Sequence, residues 1–398
     1  MSNAFSKTGL DRMHDVMRGY VERGNAAGLV TLVQRDGETH VDAIGAQALA
    51  GPPMTRDTIF RISSMSKPVT AVAVLILLEE CVLRLDDSVD EFLPELANPR
   101  VIADYFGPLE NTVPADRPIT VRDLLTFRAG HGLTFAMPGE SPLFDATQAI
   151  MPMGPPQPQQ FVAPDEWMRA LATLPLVHQP GEQWLYNTGS DILSVLVARA
   201  AGQPFDAFLR ERIFEPLGMP DTGFVVPADK RDRFATSYTT NPETGALEVF
   251  DEPDGQWATA PAFASGAGGL VSTIDDFARF GTMLLNGGEL DGTRVVSRPS
   301  VELMTTDHLT PANKAVATLA DGAWDDHGYG FGVSVATVRT QLQSIGSYGW
   351  DGGLGTSWYN DPRERLQTIL LTQAAWKSPD PPEVSRDFWT CAYAALAD

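Results

Sequence analysis

The stretch that most constrains this chain is the apolar run from Pro68 to Leu83, headed by Ser64-Met65-Ser66-Lys67. Its core, Val69-Thr70-Ala71-Val72-Ala73-Val74-Leu75-Ile76-Leu77-Leu78, has almost no polar face and predicts a buried helix. Pro68 suits the first turn, where no intrahelical donor is needed. Ser64 and Lys67 are three apart and share one face once that turn is wound. A serine at a helix N-terminus beside a lysine with a buried stem has the makings of an activated nucleophile. Burial and the positive helix end both disfavour the ammonium, which lets the amine take the serine proton. A plainer arrangement fits the same four residues: Ser64 caps a core helix and Lys67 snorkels to the surface. By chance alone, S-x-x-K occurs roughly 0.25 times in a chain of this composition, so the rest of the sequence must decide.

At 398 residues the chain exceeds one ordinary domain, and two lobes are expected. An apolar content of 43% with 20% charged residues suits a well-cored globule. The net charge of −22 would repel nucleic acid and anionic membranes, so neither is expected as a partner. Cys81 and Cys391 both lie in apolar surroundings and read as buried free thiols. His14, His40, His131, His178, His308 and His327 show no ligand spacing, so no metal or other cofactor is expected. Residues 1–9 lack the apolar core of a signal peptide, and the run after Ser64 meets Glu79-Glu80 too soon to span a bilayer. The expected location is cytoplasmic.

Taken in order, Leu10 to Arg23 has helical spacing, and Gly28–Arg35 and Thr39–Ile44 flank the hairpin signal Asp36-Gly37. A short extended piece, Thr58 to Ile62, leads into Ser64. Thr120 caps a helix ahead of Gly130-His131-Gly132. Residues 137–164, rich in Pro, Gln and Met, read as a long loop, either solvated or walling a pocket. Trp167–Leu174, Ser190–Ala201, Phe205–Leu217, Thr273–Asn286 and Arg298–Asp307 read as helices. Tyr329–Val338, Ser344–Trp350, Gly355–Asn360 and Arg365–Thr372 read as strands, and Val384–Ala397 as a closing helix. The expected fold is an α/β arrangement of the α+β type. The N-terminal hairpin and C-terminal meander form one antiparallel sheet flanked by the terminal helices (1–85 and 320–398), and 86–319 form a mostly helical second domain. Ser64 falls where the two lobes meet, a common place for a pocket.

Several motifs, met in one order along nearly the whole chain, resemble the serine β-lactamase and penicillin-binding superfamily. The closest likeness is to class C β-lactamases and family VIII carboxylesterases. The motifs are Ser64-Met65-Ser66-Lys67, the stretch Ile119 to Thr126, Pro180-Gly181-Glu182-Gln183-Trp184-Leu185-Tyr186, Pro216-Leu217-Gly218-Met219 and Gly268-Gly269-Leu270-Val271-Ser272-Thr273. The resemblance implies that Ser64 is the acylated nucleophile, Lys67 its proton acceptor and Tyr186 the catalytic tyrosine. The usual Tyr-x-Asn is altered, with Asn187 directly after Tyr186 and Thr188 in the third place; Trp184 and Asp191 match the esterase branch. The Lys-Thr-Gly of the lactamases looks replaced by Trp350-Asp351-Gly352, similar to the Trp-Gly-Gly of family VIII esterases except at Asp351. These three residues are the implied substrate-binding strand, with the backbone N–H groups of Ser64 and Gly353 as the implied oxyanion pair. A literal Lys7-Thr8-Gly9 is a decoy by position.

The resemblance thus implies a carboxylesterase acting on small-molecule esters through an acyl-enzyme on Ser64, with weak β-lactam hydrolysis as a side activity. An ester is favoured because Trp350 offers an apolar wall where the lactamases place a cation for the substrate carboxylate. The alternatives are a β-lactamase, a D-amino-acid peptidase or amidase, an acyltransferase using the same intermediate, and a penicillin-binding-like protein that is acylated without turnover. An α/β-hydrolase is excluded, since no G-x-S-x-G occurs.

Overall fold

The computed structural model describes residues 4–134, 136–316, 322 and 324–397. The expected boundary at 319/320 therefore lies outside the described residues. At the centre is a seven-stranded antiparallel sheet in the order His327–Tyr329, Ser334–Ala336, Tyr348–Gly352, Thr356–Asp361, Leu366–Thr372, Gly28–Arg35, Glu38–Gly45. Asp36 and Gly37 take positive φ of 53° and 85°, the twist a two-residue hairpin needs, and so pair Arg35 with Glu38. The N-terminal hairpin joins the C-terminal meander by pairing Leu29 with Thr372 through to Arg35 with Leu366.

Alternation along Gly28–Arg35 divides the core. Leu29 and Val33 face the terminal helices Lys7–Glu22 and Glu383–Ala394, packing with Met13, Met17, Leu370 and Phe388. Val30 and Leu32 face the other way into a larger core with Ile369, Leu371 and Trp358. That core includes the helices Ser66–Glu79, Thr188–Ala201 and Ile274–Leu285. Every residue from Ser66 to Leu77 is buried, as the apolar run predicts. Each large aliphatic side chain there contributes about 1.5–3 kcal/mol by leaving water.

Three expectations need correction, and a fourth, the helix Phe205–Leu217, holds with a π turn added. The segment 137–164 is not all loop: Pro142–Ile150 is a helix, with Ser141 Oγ accepting from the Phe144 N–H. Serine before proline is a helix start, hidden here among turn-forming residues. The stretch expected as one strand, Tyr329–Val338, is a hairpin of His327–Tyr329 and Ser334–Ala336 turning at Gly330-Phe331-Gly332. Gly332 has φ of 72°, and a Cβ on it would lie 2.7 Å from the Lys67 carbonyl oxygen. The helix Phe205–Leu217 carries a π turn over Arg210–Phe214. Cys81 is exposed, because the helix ends at Glu79 and the chain leaves the core there; Cys391 is buried. Among the described residues, no single helix is long and apolar enough to cross a membrane.

Candidate active site

Ser64 lies between a two-residue strand, Phe60–Arg61, and the buried helix. The strand pairs with Val271–Ser272, and a 3-10 turn over Ser63–Met65 carries the chain into the helix at Ser66. Ser63 has φ of 48°, an uncommon backbone for a residue with a side chain, and such strain gathers at functional sites. Ser66 staples this turn: its Oγ donates to the Ser63 carbonyl (2.7 Å) and accepts from the Leu270 N–H (3.1 Å). The α-helix proper thus starts after Ser64, yet Ser64 and Lys67 meet as their spacing predicts.

The Lys67 Nζ donates to Ser64 Oγ at 2.9 Å and to the Ala267 carbonyl at 2.6 Å, and it lies 4.5 Å from the centre of the Tyr186 ring. The lysine is 1% exposed, so these partners, and the ring face, replace its hydration. Behind it stands Asp191, also buried, whose Oδ1 accepts from Ser265 Oγ (2.6 Å) and the Ala267 N–H (3.2 Å). Burial pushes the Asp191 carboxyl up to about 6, while the Ser265 hydroxyl and the Lys67 charge pull it down. Ala267 is therefore held on both sides, its N–H by Asp191 and its carbonyl, in the next peptide unit, by Lys67.

Tyr186 approaches from the helical part. Its hydroxyl donates to Ser64 Oγ at 2.8 Å and accepts from Trp350 Nε1–H at 3.2 Å. Stacking on Trp184 (5.7 Å between ring centres) and contacts with Phe127 and Trp350 fix the ring. Directly after it, Asn187 takes φ of 85° and opens the helix Thr188–Ala201. That sharp turn accommodates the altered Tyr-x-Asn sequence.

The strand Tyr348–Gly352 lies beside the Ser64 turn. A Cβ on Gly352 would lie 2.3 Å from the Ile62 carbonyl oxygen, so only glycine lets the two segments approach; Thr356 Oγ1 donates to that carbonyl at 3.1 Å. Gly353 follows at the cleft wall. Of the three residues expected to bind substrate, Trp350 joins Tyr186, and Gly352 abuts the turn. Asp351 does not join them. Its side chain leaves the opposite face of the strand, where Oδ2 accepts from the Tyr359 hydroxyl at 2.9 Å.

One cavity of about 960 Å³ contains Ser64, Tyr186, Trp350 and Gly353, with Ile150, Met153, Pro155 and Phe161 on its wall. Ser66, Ser265 and Ala267 are site residues that motif matching did not single out. The signal for the last two was the run of small residues from Ala264 to Gly269. There, a Cβ on Gly266 would fall 2.7 Å from Thr70 Oγ1 and 2.8 Å from the Ser190 carbonyl oxygen. Among the described residues, no group of three or more His, Cys, Asp or Glu side chains could hold a metal ion.

This chain is similar to several known proteins over most of its length. It is 40% identical over 373 residues to Protein Rv1367c of Mycobacterium tuberculosis, covering 92% of this chain and 90% of that one. It is 32% identical over 377 residues to Esterase EstB of Burkholderia gladioli, covering 89% and 88%. Among solved structures, EstCE1, a hydrolase with promiscuous acyltransferase activity, superposes with a TM-score of 0.81 at 24% identity over 97% of this chain and 99% of its own. The likeness to Esterase EstB supports an enzyme of the serine hydrolase kind. The Beta-lactamase family model matches residues 13–386, and with this sheet and helix arrangement the chain belongs to the beta-lactamase family.

Proposed function

We propose that this protein hydrolyses carboxylic esters through a covalent acyl-enzyme on Ser64. The observation that carries the proposal is that two proton-transfer groups, Lys67 Nζ and the Tyr186 hydroxyl, both lie within hydrogen-bond reach of one serine oxygen. The pair takes the serine proton when it holds one proton fewer than ammonium plus phenol, as amine with phenol or as ammonium with phenolate. In that state Ser64 Oγ attacks the ester carbonyl carbon while its proton passes to the pair. The N–H groups of Ser64 and Gly353 hold the tetrahedral oxyanion, donors of a kind worth about 2.7–4 kcal/mol each. The bond to the alcohol oxygen breaks as that oxygen takes the proton back. Water then adds to the acyl carbonyl and gives a proton to the same pair; the bond to Ser64 Oγ breaks as that oxygen takes the proton back, releasing the acid and the free serine. Trp350 Nε1–H, bonded to the Tyr186 oxygen, gains strength whenever that oxygen becomes electron-rich, which favours proton shuttling through the phenol.

An ester rather than a β-lactam is the substrate in this reading because Trp350 puts an indole where a carboxylate would want a cation. The likeness to Esterase EstB supports the same choice. Transfer of the acyl group to an alcohol uses the same intermediate, and a cavity of about 960 Å³ has room for donor and acceptor together. p-Nitrophenyl esters from acetate to laurate, run beside nitrocefin and with and without added butanol, test the reading. Steady ester turnover that vanishes in Ser64→Ala supports it; ester turnover retained in Ser64→Ala overturns it. A burst that stops after one equivalent points to an acylated binder.

A further inference from the structure

The cleft does not end at Ser64. The same cavity that holds Ser64 and Trp350 also reaches Asp351, Tyr359, Trp376, Trp389 and Tyr393. Alternation puts Trp350 and Asp351 on opposite faces of their strand, so the cavity continues into a rear chamber between the sheet and the C-terminal helix Glu383–Ala394. Trp376 stands at the corner, its backbone N–H donating to the Gly353 carbonyl at 2.8 Å.

The chamber has a definite chemistry. Asp351 Oδ2 accepts from the Tyr359 hydroxyl and the Ser357 hydroxyl also bears on the carboxylate, but among the described residues its Oδ1, closed to bulk solvent, makes no hydrogen bond of ordinary geometry. Ser357, directly across the strands from Asp351, uses its Oγ to accept from Trp389 Nε1–H at 3.2 Å. Trp389 in turn sits edge-on to Tyr359, with ring centres 5.2 Å apart. A carboxylate oxygen with unused lone pairs is thus set beside two packed aromatic rings. Burial pushes the Asp351 carboxyl up to about 7 against the pull of the Ser357 and Tyr359 hydroxyls, so its charge is poorly compensated by the protein. Among the described residues, the cavity lining carries Asp191, Asp326, Asp351 and Asp380, against Arg386 and His327 as its basic side chains. Arg386 is exposed at the chamber mouth. Aromatic faces with a carboxylate in an acidic lining suit an alkylammonium group, through cation–π contact and charge pairing.

We propose that the rear chamber binds an organic ammonium group with Asp351 as its counter-ion, so that the preferred esters carry a positively charged amine remote from the scissile bond. This rests on the esterase reading for its substrate and on the chamber alone for its binding.

The test compares p-nitrophenyl 8-(trimethylammonio)octanoate with p-nitrophenyl 9,9-dimethyldecanoate, the neutral ester in which carbon replaces the ammonium nitrogen. The wild-type enzyme is expected to favour the ammonium ester by about tenfold in kcat/KM, and Asp351→Asn to bring that ratio within about twofold of one. A wild-type ratio near one, or a tenfold ratio kept in Asp351→Asn, overturns the proposal. Choline titrated against tryptophan fluorescence reads the site without chemistry, through Trp376 and Trp389. A saturable change is expected in wild type, weakened in Asp351→Asn and tightened about threefold in Arg386→Ala, which removes a competing cation from an exposed position. Choline without effect on the wild type, or no gain in Arg386→Ala, overturns it as well. If no ester is turned over but choline binds as described, the esterase reading has failed and the cation site stands.

Discussion

Lys67 and Asp351 are both ionisable groups drawn out of water, on opposite sides of one strand, and they are treated differently. Lys67 finds an oxygen on Ser64, a carbonyl on Ala267 and the face of Tyr186. Asp351 has the Tyr359 hydroxyl on one oxygen, while among the described residues the other makes no hydrogen bond of ordinary geometry. A charge supplied with partners is a charge the fold holds in place for its own use, here beside a serine. A charge left short of partners lowers stability, a cost that the proposed ammonium group would offset.

Substitutions on the two faces can break or sharpen this contrast. The largest effect is expected from Ser64→Ala, which should lower p-nitrophenyl butyrate turnover by about a thousandfold or more with the melting temperature little changed. Next, Tyr186→Phe removes one bond to Ser64 and one from Trp350 while keeping the stacked ring. It should lower kcat by about 10²–10⁴-fold, read by steady-state kinetics; a loss under threefold would leave Lys67 alone in the role.

On the rear face the expected sign is opposite, since Asp351→Asn should stabilise. The folded-state value of this carboxyl lies above its ordinary one, so the native protein holds the proton more tightly. Its stability contribution is fully present below about pH 4 and is lost as pH rises through about 7. Urea denaturation should therefore find the variant more stable by about 2 kcal/mol near pH 8 and equal to wild type near pH 4. A variant less stable at both values would mean that Asp351 is well paired after all. The smallest effect belongs to Trp350→Phe, which keeps a ring but removes the N–H donated to Tyr186. A three- to tenfold fall in kcat is expected, on the order of one hydrogen bond.

Much of this arrangement is legible in the chain. The all-apolar run predicts the buried helix, Asp36-Gly37 the hairpin, and the spacing of Ser64 and Lys67 their meeting. Strand alternation was also enough to separate Trp350 from Asp351, but the motif reads as one lining surface and hides it. Composition conceals the helix Pro142–Ile150, whose Ser-Pro start lies among residues that usually mark turns. The junction of Asp191 with Ala267 joins positions 76 residues apart, and neither has a local pattern announcing the other. Cys81 sits at the end of an apolar run, where only the helix stop at Glu79 tells inside from outside.

Asp191 and Lys67 hold the two peptide units on either side of one α-carbon: the Ala267 N–H belongs to the amide with Gly266, and the Ala267 carbonyl to the amide with Gly268. The saturated carbon between them interrupts conjugation, so the carboxylate and the amine influence one another through space, by Coulomb interaction in a buried setting. What they share is a common anchor. Any displacement of Ala267 would loosen both grips together, which ties the position of the nucleophile's nearest base to that of the carboxylate behind it.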